Sequence, residues 1–209
     1  MDGDLVARTT GPVVVSALAG EVGRDYATAT ARGVAHLRAV GAREVVAAPD
    51  VRQDETGALA ALRSAGLLVL PGGSPSRLLE ALTRTPAGGV IRERLLAGAA
   101  VLGSSAGAMV LGSWTVLPDR RGADGPVVVR GLDLVPGVLV VPHWSDGASR
   151  NDWLRAVREQ VPAGLEVLGL PEESGVVVEG RTLTAVGQGA TRLVTTGRDL
   201  AVGQSWSLT

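Results

Sequence analysis

Among the side chains of this 209-residue chain, the hydroxyl of Ser105 has the setting a nucleophile needs. It lies in Gly103-Ser104-Ser105-Ala106-Gly107, after the apolar run 99–102 and before a second apolar stretch that begins at Ala108. This pattern predicts a strand, a sharp turn and a helix start, with small neighbours letting the backbone take strained angles and holding the hydroxyl out of the sheet. The amide of Ala106 then sits where a helix begins, and N–H groups there favour a developing negative charge. A G-x-S-x-G pattern also arises by chance in a chain with 29 glycines, so a tight structural turn is the alternative at this stage.

A serine nucleophile needs a base, and the chain has two histidines. His36 falls inside a helical pattern beside Leu37, which favours a place on or near the helix surface. His143 follows a strand and precedes the Gly/Ser-containing loop 145–149, and catalytic groups accumulate at such strand ends in open α/β sheets. The base in turn needs a carboxylate to fix its tautomer and stabilise the imidazolium. Spacing leaves that choice open between Asp119 or Asp124, Asp133, Asp146 or Asp152, and Glu172 or Glu173. A second glycine turn, Leu70-Pro71-Gly72-Gly73-Ser74-Pro75, closes another strand and opens another helix. Paired glycines there let the Gly73 N–H point outward as a second oxyanion donor beside Ala106. The turn has neither the Gly-Lys-Ser/Thr ending nor the G-x-G-x-x-G fingerprint of a phosphate loop.

The elements that must position these groups alternate in the first half between short apolar runs and helical periodicity, the pattern of parallel strands joined by covering helices. Strands are predicted at 13–18, 44–48, 66–70 and 99–102, and helices at 25–40, 56–65, 75–83 and 90–97. Gly41 supplies the expected C-terminal glycine of the first of these helices. After Gly112 the chain turns β-rich. A hairpin is predicted from 113–117 and 127–129 around the polar turn 119–125, then a strand at 139–141 ending at Pro142 and His143. A helix over 151–160 has Trp153, Leu154 and Val157 on its apolar face, and short strands follow at 165–168, 175–178, 183–186 and 191–194. No linker or internal repeat interrupts this order, so one domain over 1–209 is expected: an open, mostly parallel α/β sheet with a β-rich C-terminal extension.

Composition removes several function classes. The formal net charge of −1 offers no general attraction to nucleic acid or to an anionic membrane. All twenty basic residues are arginine, which excludes lysine-based covalent chemistry. With no cysteine there is no disulfide, thiolate metal site or cysteine nucleophile. No signal-like segment and no apolar stretch of membrane-spanning length is present, so a cytoplasmic location is expected.

Taken in order, these segments resemble the serine peptidases of family S51, the dipeptidase E and cyanophycinase family. The looser part is Ala35-His36-Leu37-Arg38-Ala39-Val40-Gly41-Ala42-Arg43-Glu44-Val45. The specific part runs through Leu70-Pro71-Gly72-Gly73, Arg77-Leu78-Leu79, Gly103-Ser104-Ser105-Ala106-Gly107-Ala108, Pro142-His143-Trp144 and Gly169-Leu170-Pro171-Glu172. The resemblance implies a flavodoxin-like fold related to class I glutamine amidotransferases, with helices on both faces of the sheet. It implies Ser105 as nucleophile, His143 as base, Glu172 as acid, and Gly73 and Ala106 as oxyanion donors. Arg150, Ser74 and Trp144 fall where the family binds or positions substrate. The chain departs from the family at Ser74, where many members have asparagine, at Pro171, where cyanophycinases have aspartate, and at Trp144, where phenylalanine is common.

The expectation is a hydrolase that cleaves an amide in a small peptide, without metal or cofactor, as a possible homodimer. Two other classes compete. An α/β-hydrolase esterase would use the order Ser, Asp, His, with Asp119, Asp124 or Asp133 as acid, but a long β-rich segment follows His143. A binding protein could retain the fold with an inert site.

Overall fold

The computed structural model describes residues 2–122, 125–145, 151–161 and 163–208. The chain falls into two compact units, Met1–Ala108 and Met109–Thr209.

In the first unit the order is α1 (Asp2–Arg8), β1 (Val13–Val15), α2 (Arg24–Ala39), β2 (Val45–Ala47), α3 (Glu55–Ser64), β3 (Leu67–Leu70), α4 (Pro75–Arg84), α5 (Ala87–Leu96) and β4 (Ala100–Gly103). The strands form a parallel sheet in the order β2-β1-β3-β4. The all-valine β1 and the all-aliphatic β3 are buried along their whole lengths, as strands covered on two faces must be. The helices begin and end where their sequences dictate. Asp54 caps α3 by accepting from the Gly57 amide, and Ser74 caps α4 ahead of Pro75 at its first turn. Gly41, at φ +102°, stops α2 with its N–H donated to the Arg38 carbonyl, in the left-handed conformation that costs glycine nothing. After β2 the chain crosses back over β1 to enter β3. This reversal creates a switch point whose crevice opens at the C-terminal ends of β1 and β3, where open α/β sheets bind ligands.

The next helix, α6 (Ala106–Leu111), leads into the second unit. There β5 (Gly112–Gly122), β6 (Gly125–Arg130), β7 (Val135–Pro142), α7 (Asn151–Gln160), β8 (Glu166–Leu170), β9 (Ser174–Glu179), β10 (Thr182–Gly187), β11 (Thr191–Leu193), β12 (Arg198–Leu200) and β13 (Ser205–Ser207) follow. A mixed sheet runs β12-β11-β8-β7-β5-β6, with β5, β7 and β8 mutually parallel, and an antiparallel sheet runs β13-β10-β9. Leu139 and Val141 of β7, Val116 of β5 and Val167 of β8 pack with Ala156 and Val157 of α7. The expected α/β class with a β-rich C-terminal part is the observed one. The hairpin is longer than its apolar residues indicate, because pairing continues past an irregularity between Leu117 and Arg121 to Gly122 opposite Gly125. The backbone ladder does not need alternating apolar side chains once the strands leave the core.

The half-buried first position of β8, an interior strand of the second unit's mixed sheet, carries a titratable group. Glu166 accepts from the Thr195 amide, but partial burial raises its carboxyl pKa above the usual glutamate value of 4.5. A raised folded pKa means that the folded protein holds this proton more tightly than the unfolded chain. The associated stability is full below the unfolded value and is lost as pH rises through the folded one. Denaturant titrations from pH 4 to pH 7 on the wild type and Glu166→Gln should therefore show the wild type losing stability relative to the variant as pH rises. A gap that is constant with pH would contradict this.

Candidate active site

Ser105 occupies the turn between β4 and α6 with φ +49°. A left-handed conformation is uncommon for any residue with a side chain and carries strain that its surroundings must offset. Those surroundings are visible in the first unit. Leu70 of β3 and Gly103 of β4 are register partners at the same sheet edge, so the turns that follow them lie side by side. The Ser104 amide donates to the Leu70 carbonyl at 3.0 Å. A Cβ on Gly72 would lie 3.1 Å from the Ser105 Cβ, and one on Gly107 would lie 1.9 Å from the Leu70 carbonyl oxygen. The glycines of the motif are thus required by close approach of the two turns. Gly73, at φ +141°, rests on Ala19 of the loop after β1; a Cβ there would come within 2.8 Å of the Ala19 carbonyl oxygen. Ser74 accepts from the Arg77 amide at 3.2 Å through its hydroxyl, so this position, expected near substrate, also starts α4.

In the second unit the structure brings His143 and Glu172 together. Pro142 of β7 and Leu170 of β8 are register partners, so the residues beyond them emerge from neighbouring parallel strands at the same end. His143 Nδ1 lies 2.5 Å from Glu172 Oε1. A carboxylate oxygen can only accept, so this contact suits the tautomer with the proton on Nδ1 and a lone pair on Nε2. Both side chains are substantially exposed, 48% and 76%, and an exposed polar contact holds little energy of its own. Backbone contacts set the geometry instead. The Trp144 amide donates to the Leu170 carbonyl at 2.9 Å, and the Gln188 amide to the Glu173 carbonyl at 3.0 Å. The Gly189 amide donates to the Ser174 hydroxyl at 2.7 Å. His143 and Glu173 both take φ +54°. Of the four described non-glycine residues with positive φ, Ser105, Asp133, His143 and Glu173, three are in the turns that carry the expected nucleophile, base and acid. Such strain is concentrated at functional positions.

Trp144 lies half-buried, packed against the core of β7, β8 and α7, with its ring directly over Gly169. A Cβ at position 169 would fall 2.4 Å from the indole. Gly169→Ala is expected to displace Trp144, cost about 1–3 kcal/mol by overpacking, and lower activity by moving the adjacent His143. Thermal unfolding together with kcat measures both effects, and an unchanged kcat would uncouple Trp144 from the site.

The other candidates are placed elsewhere. His36 is exposed on α2 and lies 2.9 Å from Asp2. Asp133 accepts from the Ser113 hydroxyl, which itself accepts from the Gly137 amide at 2.8 Å, and this closes the turn before β7. Asp152 pairs with Arg155 on α7 at 3.1 Å. Asp124, Asp146 and Arg150 lie outside the described residues. Among the described residues, no group of three or more histidine or acidic side chains is placed to hold a metal, and no helix is long and apolar enough to cross a membrane. The loop after β1, whose Ala19 supports the Gly73 turn, carries no motif that marks it in the sequence.

The family model for peptidase family S51 matches residues 18–186, most of the chain. The chain belongs to peptidase family S51. It is accordingly a serine hydrolase of the peptidase type. Among solved structures, a peptidase from an acI-B1 actinobacterium is similar over 99% of this chain and 89% of its own, with a TM-score of 0.80 and 20% identity. A putative peptidase E protein from Listeria monocytogenes EGD-e is similar over 87% of this chain and 88% of its own, with a TM-score of 0.61 and 19% identity. These likenesses show the S51 chain to have the peptidase E-like fold. No curated protein matches it.

Proposed function

We propose that this S51 member hydrolyses an amide bond of a small peptide through a Ser105-His143-Glu172 triad. The observation that carries the reading is the 2.5 Å contact between His143 Nδ1 and Glu172 Oε1. It orients the imidazole and leaves Nε2 as the base. In the first step Ser105 Oγ attacks the scissile carbonyl carbon while its proton passes to Nε2. Glu172 stabilises the imidazolium, and the amides of Gly73 and Ala106 receive the oxyanion, each such donor contributing roughly 3 kcal/mol in the transition state. The tetrahedral intermediate collapses as Nε2 returns the proton to the leaving amine, the C–N bond breaks and an acyl-enzyme remains. Water, giving its proton to the same nitrogen, then attacks the ester, and Ser105 leaves with its hydroxyl restored.

α6 has six residues, so its contribution to the oxyanion is the local Ala106 N–H rather than a long helix dipole. The engagement of Asp133 with Ser113 favours Glu172 over Asp133 as the acid, and so favours the peptidase reading over a Ser-Asp-His esterase. Labelling by a fluorophosphonate that disappears in Ser105→Ala, together with turnover of dipeptides with acidic, basic and apolar first residues, tests the proposal. A folded wild type that neither labels nor turns over any member of the panel would support an inert site instead.

A further inference from the structure

We propose that Arg77 is a positioning residue for the oxyanion hole, acting on Gly73 through the carbonyl of Ala19. The inference rests on the catalytic reading above. Its observations all lie within the first unit. The loop after β1 and the Gly72-Gly73 turn after β3 meet at the switch point of the sheet, and Ala19, fully buried, is where they touch. Its carbonyl oxygen accepts the Ser74 amide at 3.0 Å and Arg77 Nε at 3.3 Å. The same guanidinium reaches Glu21 Oε1 with Nη1 at 3.0 Å. Arg77 therefore grips the β1 loop at two points two residues apart. It is itself fixed on the first turn of α4, where its amide donates to Ser74.

Gly73 lies inside this clamp. Its backbone packs so closely on Ala19 that no side chain fits, so the plane of its peptide, and with it the direction of its N–H, follows the position of Ala19. A second arginine holds the far side of the same loop. Arg52 donates twice to the Gly20 carbonyl at 3.1 Å and is locked in a two-pronged pair with the buried Asp50. Arg52 thus anchors the loop to the β2 side, while Arg77 anchors it to the Gly73 turn. A planar guanidinium suits this task because it presents several donors in fixed directions at once, which an ammonium group does not.

Arg77→Met keeps the aliphatic stem and removes every donor. It is expected to lower kcat about 100-fold, the scale of a 1 Å misplacement of a catalytic group, with KM changed less than about threefold because the lost interaction is made in the transition state. Affinity for a peptide boronate, which mimics the tetrahedral intermediate, should fall in parallel with kcat/KM. Arg77→Gln, whose amide can still donate to the Ala19 carbonyl, should recover most of the loss, and this recovery separates positioning from general destabilisation. A kcat for Arg77→Met within about threefold of wild type would overturn the inference, as would a raised KM with unchanged kcat. So would a glutamine variant no better than methionine. If the wild type shows no Ser105-dependent hydrolysis, the catalytic reading itself fails. If it does and Arg77→Met retains full turnover, the positioning role alone fails.

Discussion

Ser105→Ala is expected to reduce peptide hydrolysis by about a million-fold, the scale seen when a triad nucleophile is removed, with unfolding temperature and circular dichroism unchanged. The loss is so large because in the proposed mechanism this residue forms the covalent bond; the remaining donors and substrate contacts leave only a small residual acceleration. The fold should tolerate the change. The left-handed φ of +49° strains alanine about as much as serine, and the neighbouring glycines, not the hydroxyl, permit the close approach of the two turns. Mass spectrometry of fluorophosphonate-treated protein should find the adduct on Ser105 in the wild type and none in the variant. Wild-type turnover by Ser105→Ala would remove the basis of the mechanism.

The second large effect concerns the proposed acid. Glu172→Gln keeps the size of the side chain and removes its charge. Its amide can donate as well as accept, so the imidazole is no longer held with the proton on Nδ1 and the lone pair on Nε2. A change of this kind costs about ten-thousand-fold in kcat where the tautomer is lost. Asp133→Asn is the matched comparison. Asp133 closes the turn before β7 with Ser113, so its replacement should cost about 1 kcal/mol or less in stability and leave kcat near wild type. Measuring kcat and unfolding free energy for both variants separates the two assignments. A large kcat loss in Asp133→Asn with little in Glu172→Gln would move the acid to the position used in an esterase order.

The strained turns explain why the candidate site is partly legible in one dimension. A serine between small residues after an apolar run, and a histidine and a glutamate each just past the end of such a run, are local patterns, and each local pattern was enough to name a strand end. Asn151–Gln160 was legible as a helix to the residue because its apolar positions recur at helical spacing. By contrast α1, β12 and β13 are short and largely polar, and they have no period long enough to register. The two strands exist because neighbouring strands complete their hydrogen bonds, and α1 is held by Val6, which packs with Val13, Leu37 and Leu67.

What the sequence determined by itself was the alternation of elements and the kinds of group presented at their ends, since both follow from side-chain periodicity, glycine and proline placement, and capping. Which strand ends are neighbours was decided only in three dimensions. Residues 143 and 172 meet because β7 and β8 pair in parallel with Pro142 opposite Leu170. Gly72 supports Ser105 because β3 and β4 pair with Leu70 opposite Gly103, and Arg77 reaches Ala19 because the chain reverses direction across β1. Strand order and register arise from the packing of the whole sheet and its helices. A choice among seven carboxylates that spacing left open was therefore narrowed by the 2.5 Å contact of one of them with His143.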